Sequence, residues 1–232
     1  MKTPAQRHFE RVSARVSAAA DPTAAPAGAS RYELMLVKLA TDRRRLKTLQ
    51  SIERKKAVKA EVLPEYSEYV AGVLEGGRGA QDDVLTTVMV WRIDVGDYAG
   101  ALAIATYALQ HGLTLPDQYD RTLATVIAEE FAETALIALK ASEQFDVDQL
   151  HQVATLTEQY DMPDVVRAKL YKAIGYALEA SPADALPFLR RALELHDRIG
   201  VKKDIERLEK ALAAAGNAAG GAAPGDDTSS GT

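Results

Sequence analysis

Apolar residues recur three, four or seven positions apart through most of the chain, which is typical of amphipathic helices. From Tyr32 to Ile52 this spacing predicts one long helix that begins after Ser30, a favourable N-cap residue. Its apolar stripe is narrow past Ala40, which favours pairing with a single partner helix. The pattern as a whole predicts an all-α fold, an irregular multi-helix protein containing helical hairpins.

Proline and glycine mark where the other helices begin and end. Pro64 is placed to begin a helix, and the glycine-rich stretch 75–79 is placed to end it. Between residue 81 and Gly112 two apolar segments are separated by Gly96, which predicts a helical hairpin. Further helices are predicted over residues 121–140, 147–159, 162–180, 181–200 and 201–212.

Two segments have too few bulky apolar side chains to form packed structure. Residues 21–30 combine two prolines, a glycine and small residues, which predicts an irregular linker. Residues 216–232 are rich in glycine, alanine and polar residues, which predicts a disordered tail. The sequence is therefore divided into basic N-terminal helices at 1–60, an acidic helical region at 61–215 for oligomerisation and partner docking, and the tail at 216–232.

Charge is distributed unevenly along the 232 residues, whose net charge is −5. Residues 1–59 contain 14 lysines and arginines but five acidic residues, so this part carries +9 and the remainder carries −14. The two parts of the protein have net charges of opposite sign. This asymmetry suggests that the basic part contacts a polyanion such as nucleic acid.

Composition also excludes several classes of protein. No apolar run reaches the roughly 18 residues that a membrane-spanning helix needs, and the N-terminus lacks the apolar core of a signal peptide. The sequence contains no cysteine, which removes disulfides, thiol nucleophiles and sulfur ligands for zinc. A globular cytoplasmic protein with no membrane association is expected.

Clusters of cations are the strongest chemical feature of the sequence. The runs 43–47 and 54–59 place several cations on helices, where they can neutralise phosphates along a nucleic-acid backbone. Three arginines near the N-terminus follow one another at four-residue spacing and share a helix face. The alternative is that these residues form a solvated helical face. The predicted DNA-binding residues are Arg7, Arg11, Arg15, Arg43, Arg44, Arg45, Lys47, Arg54, Lys55, Lys56 and Lys59.

Signatures of catalysis or cofactor binding are weak. The stretch 72–83 superficially resembles a phosphate-binding loop, but the lysine and the magnesium-binding hydroxyl are missing and no strand precedes it. Asp82 and Asp83 are better explained as acids that stabilise a helix N-terminus. No catalytic residue, metal ligand or cofactor is predicted. The histidines, which lie far apart in the sequence, are His8, His111, His151 and His196.

Five segments of the sequence resemble one family in order and in detail. They are TPAQRHFERVSA (3–14), YELMLVKLATDRRRLKTLQSIERK (32–55), GVLEGGRGAQDDVLTTVMVWRIDVGDYAGALAIATYALQHGLTLP (72–116), MPDVVRAKLYKAIG (162–175) and GVKKDIERLEKAL (200–212). The family is the terminase small subunit of temperate contractile-tailed phages with cohesive ends, often labelled the terminase endonuclease subunit.

The resemblance implies a phage- or prophage-encoded protein of the bacterial host cytoplasm. It would bind the packaging-initiation (cos) site on double-stranded phage DNA, assemble as a homo-oligomer, in the form of a ring, and present DNA to the large ATPase and nuclease subunit. A non-catalytic role is favoured, because the residues contain no nuclease signature. Two alternatives stay open: a protein-only adaptor with tetratricopeptide-like hairpins, and a metal-dependent endonuclease in its own right.

Overall fold

The structure, a computed structural model, describes residues 3–19, 31–117 and 120–220, without the side chains of 14–19 and 216–220. These residues form helices and no strands, which confirms the all-α prediction. The predicted linker at 21–30 and the tail beyond residue 220 lie outside the described residues. The helices are α1 Pro4–Ala19, α2 Arg31–Lys47, α3 Ile52–Val62, a 3-10 turn Leu63–Tyr66, α4 Ser67–Gly76, α5 Asp83–Val95, α6 Tyr98–Gln110, α7 Leu123–Lys140, α8 Val147–Thr157, α9 Asp164–Ala177, α10 Pro182–Leu195 and α11 Lys202–Gly220.

Helix α5 lies at the centre of the fold and contacts α2, α3, α6 and α7. Most of its residues are buried, as expected for a helix with neighbours on several sides, and its side chains Leu85, Val88 and Met89 are fully buried. Asp82 caps its N-terminus by accepting a hydrogen bond from the Leu85 amide at 2.8 Å. Gly96 ends it with a φ of 88°, a left-handed conformation that favours glycine.

The predicted hairpin is confirmed by the packing of α5 against α6. Asp97 caps α6, because its carboxylate accepts a hydrogen bond from the Gly100 amide at 3.0 Å. Ala101, Ala105 and Ala108 are fully buried, and such small side chains allow neighbouring helices to approach closely.

The prediction of one long helix from Tyr32 to Ile52 is wrong, because the chain breaks between α2 and α3. Side chains that bond to nearby backbone explain the break. The Thr48 hydroxyl donates to the Arg45 carbonyl at 2.8 Å, and the Ser51 hydroxyl accepts from the Arg54 amide at 3.3 Å as the N-cap of α3. The two helices therefore form a hairpin in which both can pack on α5.

One large core joins α2 through α9, and a smaller one lies at the C-terminal end. Met35, Leu39 and Leu46 of α2 belong to the same cluster of buried side chains as Ile174 of α9. Helix α2, which carries the first cationic run, is therefore anchored in the large core. The smaller cluster comprises Ala185, Leu186, Leu189, Val201, Ile205 and Leu208.

Helix α11 packs against α10 and is longer than predicted, since it continues to Gly220 while the tail was expected from residue 216. Among the described residues, no helix combines the length and apolar character that are needed to cross a bilayer.

Candidate nucleic-acid interface

A shallow groove between α2 and α3 brings together four of the predicted DNA-binding residues. Its volume is about 380 Å³, and α5 forms its floor. Each helix contributes two cations four residues apart, so that each pair lies on one helix face. The residues that line it are Arg43, Leu46, Lys47, Lys55, Lys59, Thr87 and Trp91. We call it the basic groove.

The floor of the basic groove is held in place by ring packing and hydrogen bonds. Trp91 is buried, and Tyr66 meets its ring edge to face with the centroids 6.1 Å apart. The Thr87 hydroxyl accepts a hydrogen bond from the Arg43 guanidinium at 2.8 Å and donates one to the Asp83 carbonyl at 2.7 Å. Arg43 is therefore held over the floor and leaves other donors of its guanidinium for a ligand.

A buried polar network fixes α2 relative to the 3-10 turn. The Tyr66 hydroxyl donates to the carboxylate of Asp42 at 2.6 Å, and Lys38 contacts that carboxylate at 3.0 Å. Burial, together with this hydrogen bond to Asp42, raises the pKa of Tyr66. Asp42 is itself only 8% exposed. These buried contacts therefore hold α2, which carries Arg43 and Lys47, in place.

The charge of the basic groove is only partly neutralised by the protein. Lys59 forms an ion pair with Asp94 at 2.5 Å. Lys47 and Lys55 have no carboxylate within ion-pair distance among the described residues. Two like-charged ammonium groups at one groove disfavour each other, so a bound anion would stabilise both. The arrangement can thus bind phosphate groups through charge.

The other predicted cations of α2 and α3 do not line the basic groove. Arg45 forms a two-pronged ion pair with Glu61, at 2.9 and 2.7 Å, and this contact lowers the pKa of the Glu61 carboxyl. Arg44 donates to the Ala40 carbonyl of its own helix at 3.2 Å. Arg54 and Lys56 are exposed on α3 outside the set that lines the groove.

The arginines of α1 lie in acidic surroundings. Arg11 is within 3.7 Å of Glu68 and 3.8 Å of Glu75, both on α4 against which α1 packs. Arg7 is exposed and lines a second cavity, of about 640 Å³, together with Glu10, Glu65 and Glu68. The side chain of Arg15 lies outside the described residues. This cavity is therefore a poorer match for phosphate than the basic groove.

The glycine-rich stretch and Asp82, both noted in the sequence, make contacts that stabilise the fold. The Gly79 amide donates to the Tyr107 hydroxyl at 3.0 Å, which seats the glycine-rich stretch on α6. Buried Asp82 accepts a hydrogen bond from Tyr69 at 2.5 Å, and burial raises the pKa of its carboxyl despite that bond. Among the described residues no three His, Asp or Glu side chains are grouped so that they could hold a metal ion.

Reasoning from the sequence missed the floor of the basic groove. Thr87 and Trp91 follow the two cationic runs by more than 25 residues and belong to an apolar helix, so no local pattern associates them with the cations. The two sides of the groove could have been found from the sequence. Arg43 with Lys47, and Lys55 with Lys59, each show the four-residue spacing that places two side chains on one helix face.

Comparison with known proteins identifies the family. A profile of the phage small terminase subunit matches residues 36–165, which contain the whole basic groove. The chain is 51% identical over 215 residues to the "Terminase, endonuclease subunit" of Escherichia phage P2, covering 91% of this chain and 86% of that protein. It is 26% identical over 163 residues to the "Probable terminase, endonuclease subunit" of Haemophilus phage HP1 (strain HP1c1), covering 62% of this chain and 57% of that protein. No solved structure matches the chain.

These findings confirm the resemblance found in the sequence. The profile covers more than half of the chain, and the similarity to the phage P2 protein extends over most of both lengths. The chain therefore belongs to the phage small terminase subunit family and takes part in phage DNA packaging.

Proposed function

We propose that this subunit binds the packaging-initiation (cos) region of the phage genome through the basic groove and presents it to the large terminase subunit. The observation that carries the proposal is the pair Lys47 and Lys55, two ammonium groups from facing helices at one groove without a carboxylate partner among the described residues. Contacts between such cations and phosphates release counterions, which supplies affinity for duplex DNA.

The contribution of each predicted cation differs in this proposal. Arg43, Lys47 and Lys55 contact phosphates directly, and Lys59 does so with its charge shared with Asp94. Arg44, Arg54 and Lys56 extend the positive surface around the groove. Arg7, Arg11, Arg15 and Arg45 assist less, because Arg11 and Arg45 pair with carboxylates and Arg7 faces several of them.

Oligomerisation would strengthen a contact that is weak in one subunit. A ring carries several identical grooves. Once one groove has bound DNA, the next groove binds the same molecule at a high effective concentration, which raises the overall affinity. We assign DNA contact to residues 1–60 and both the ring interface and the docking of the large subunit to the acidic residues 61–215. The negative charge of the latter region disfavours DNA on those surfaces.

Cutting is assigned to the complex that contains the large subunit, within the bacterial host cytoplasm. The names of the phage P2 and HP1 relatives contain the words "endonuclease subunit", which makes intrinsic nuclease activity the second candidate. Incubation of the purified subunit with supercoiled DNA and Mg²⁺ separates the two, since nicking without the large subunit would establish the second candidate.

The main experiment measures the binding of the purified subunit to two duplexes of equal length across a salt series. One duplex contains the cos region of the phage that encodes this chain, and the other is unrelated. We expect binding that weakens steeply with salt and is tighter for the cos duplex, with light scattering showing an oligomer. No binding to either duplex at low salt would overturn the proposal and favour the protein-only adaptor.

A further inference from the structure

Ile52 is an exposed apolar side chain between two runs of cations. It is the first residue of α3 and is 84% exposed, the highest value among the large apolar side chains of the described residues. The basic runs 43–47 and 54–59 lie on either side of it in the sequence. Its aliphatic side chain is therefore accessible to a ligand that approaches this end of α3.

The helix register places Ile52 in line with the basic groove. Lys55, Lys56 and Lys59 follow it by three, four and seven residues, so all four share one face of α3. Lys55 and Lys59 line the groove. Ile52 therefore lies about one helical turn N-terminal to Lys55, next to the connection 48–51 between α2 and α3. A ligand that fills the groove and extends past its end meets Ile52.

The surrounding charge selects the kind of ligand. A purely apolar surface would take water from the ammonium groups of Lys55 and Lys56 without offering them a partner, so the ligand must combine anionic groups with an apolar one. Duplex DNA satisfies both requirements, because its phosphates pair with the cations while the major groove offers one apolar group, the C5-methyl of thymine.

We propose that Ile52 contacts thymine methyl groups in the major groove and thereby contributes to the choice of DNA sequence. This inference rests on the proposed DNA binding and deepens it. Phosphate contacts from the basic groove position the subunit without reading sequence, whereas Ile52 distinguishes a thymine from the other bases. It is a specificity-determining residue with little effect on binding to DNA in general.

The test uses a duplex that the wild-type subunit selects from a random-sequence pool, with a shuffled duplex of the same composition as the reference. Burial of one methyl group corresponds to about a fourfold change in affinity for each thymine contact. We expect Ile52→Ala to lose at least that factor on the selected duplex while binding the shuffled duplex unchanged. Replacing thymine by uracil in the selected duplex should weaken the wild type to the level of the variant and leave the variant unaffected.

Ile137→Ala is the matched control, because Ile137 is 71% exposed on α7 and outside the basic groove. It should behave as the wild type on all duplexes. The inference is overturned if the wild type binds DNA but selects no sequence, if Ile52→Ala keeps the wild-type preference, or if light scattering shows that Ile52→Ala changes the oligomer. The first result would also remove the expected preference for the cos duplex, whereas the other two leave the proposed function intact. Binding to DNA through the basic groove itself fails only if the wild type binds no duplex.

Discussion

Removing the two unpaired ammonium groups of the basic groove should weaken DNA binding in a defined way. The variant Lys47→Gln/Lys55→Gln keeps most of the length of both side chains and removes both charges. Neither lysine forms an ion pair in the described residues, and the ends of both side chains face the groove and not the core. The fold should therefore be unaffected, with the same melting temperature and oligomeric state.

The size of the effect follows from the number of phosphates that the variant no longer binds. On B-form DNA the logarithm of the binding constant falls with the logarithm of salt concentration by about 0.9 for each phosphate that a cation neutralises. A variant that neutralises two fewer phosphates should therefore have a slope that is shallower by about 1.8 for each subunit on the DNA. The weakening should be the same for cos and unrelated duplexes, because phosphate contacts do not read sequence.

The assay is a salt titration of binding to a labelled duplex, followed by fluorescence anisotropy. Lys202→Gln/Lys203→Gln is the matched control, since it also removes two exposed lysine charges, but on α11, which packs against α10. Arg45→Gln/Glu61→Gln is a second control that removes an ion pair without changing the net charge. An unchanged slope for Lys47→Gln/Lys55→Gln, or an equal change for the α11 control, would refute phosphate binding in the groove.

Three further variants test the forces that hold the fold. Ser142 lies two residues after the end of α7 and has a φ of 61°, so Ser142→Gly should stabilise the protein by about 0.5–1 kcal/mol in urea unfolding; a loss of stability would contradict this. Tyr69→Phe removes a donor from buried Asp82 and should cost about 1.5–3 kcal/mol; an unchanged unfolding midpoint would contradict it. Burial, with repulsion from Asp94 and Glu133, raises the pKa of Glu130 above its ordinary 4.5, so folding disfavours the charged form. The contribution of Glu130 to wild-type stability should therefore fall as pH rises from 4.5 through its folded-state pKa, so the melting temperature of Glu130→Gln should exceed that of the wild type above this window and equal it below. A difference that does not depend on pH would contradict the assignment.

Local signals were sufficient for most helix boundaries. Gly96 ends α5 and Asp82 and Asp97 begin helices, because a left-handed backbone and an N-cap carboxylate depend on one residue and its immediate neighbours. The break between α2 and α3 also depends on nearby residues, but the apolar pattern did not indicate it. Leu49 keeps the helical spacing, and nothing in the apolar pattern shows that Thr48 and Ser51 will bond to nearby backbone instead.

The candidate site was predictable in composition but not in detail. The cationic runs identified the part of the chain that forms both sides of the basic groove, and the four-residue spacing of Arg43 and Lys47 is a local signal that they share a face. Which of three consecutive arginines turns toward the groove depends on distant residues. Arg43 bonds Thr87, which is 44 residues away, while Arg45 bonds Glu61, which is 16 residues away. Such contacts are set by tertiary packing and leave no mark on the local sequence.

Crosslinking from the groove shows directly whether this terminase subunit binds DNA in the basic groove. The chain contains no cysteine, so Lys55→Cys creates a single thiol for a photoreactive aryl azide, and Lys203→Cys provides the matched control on α11. After illumination with cos duplex, the label at position 55 should crosslink to DNA, and the label at position 203 should not. Crosslinking from position 203 with none from position 55 would contradict the account.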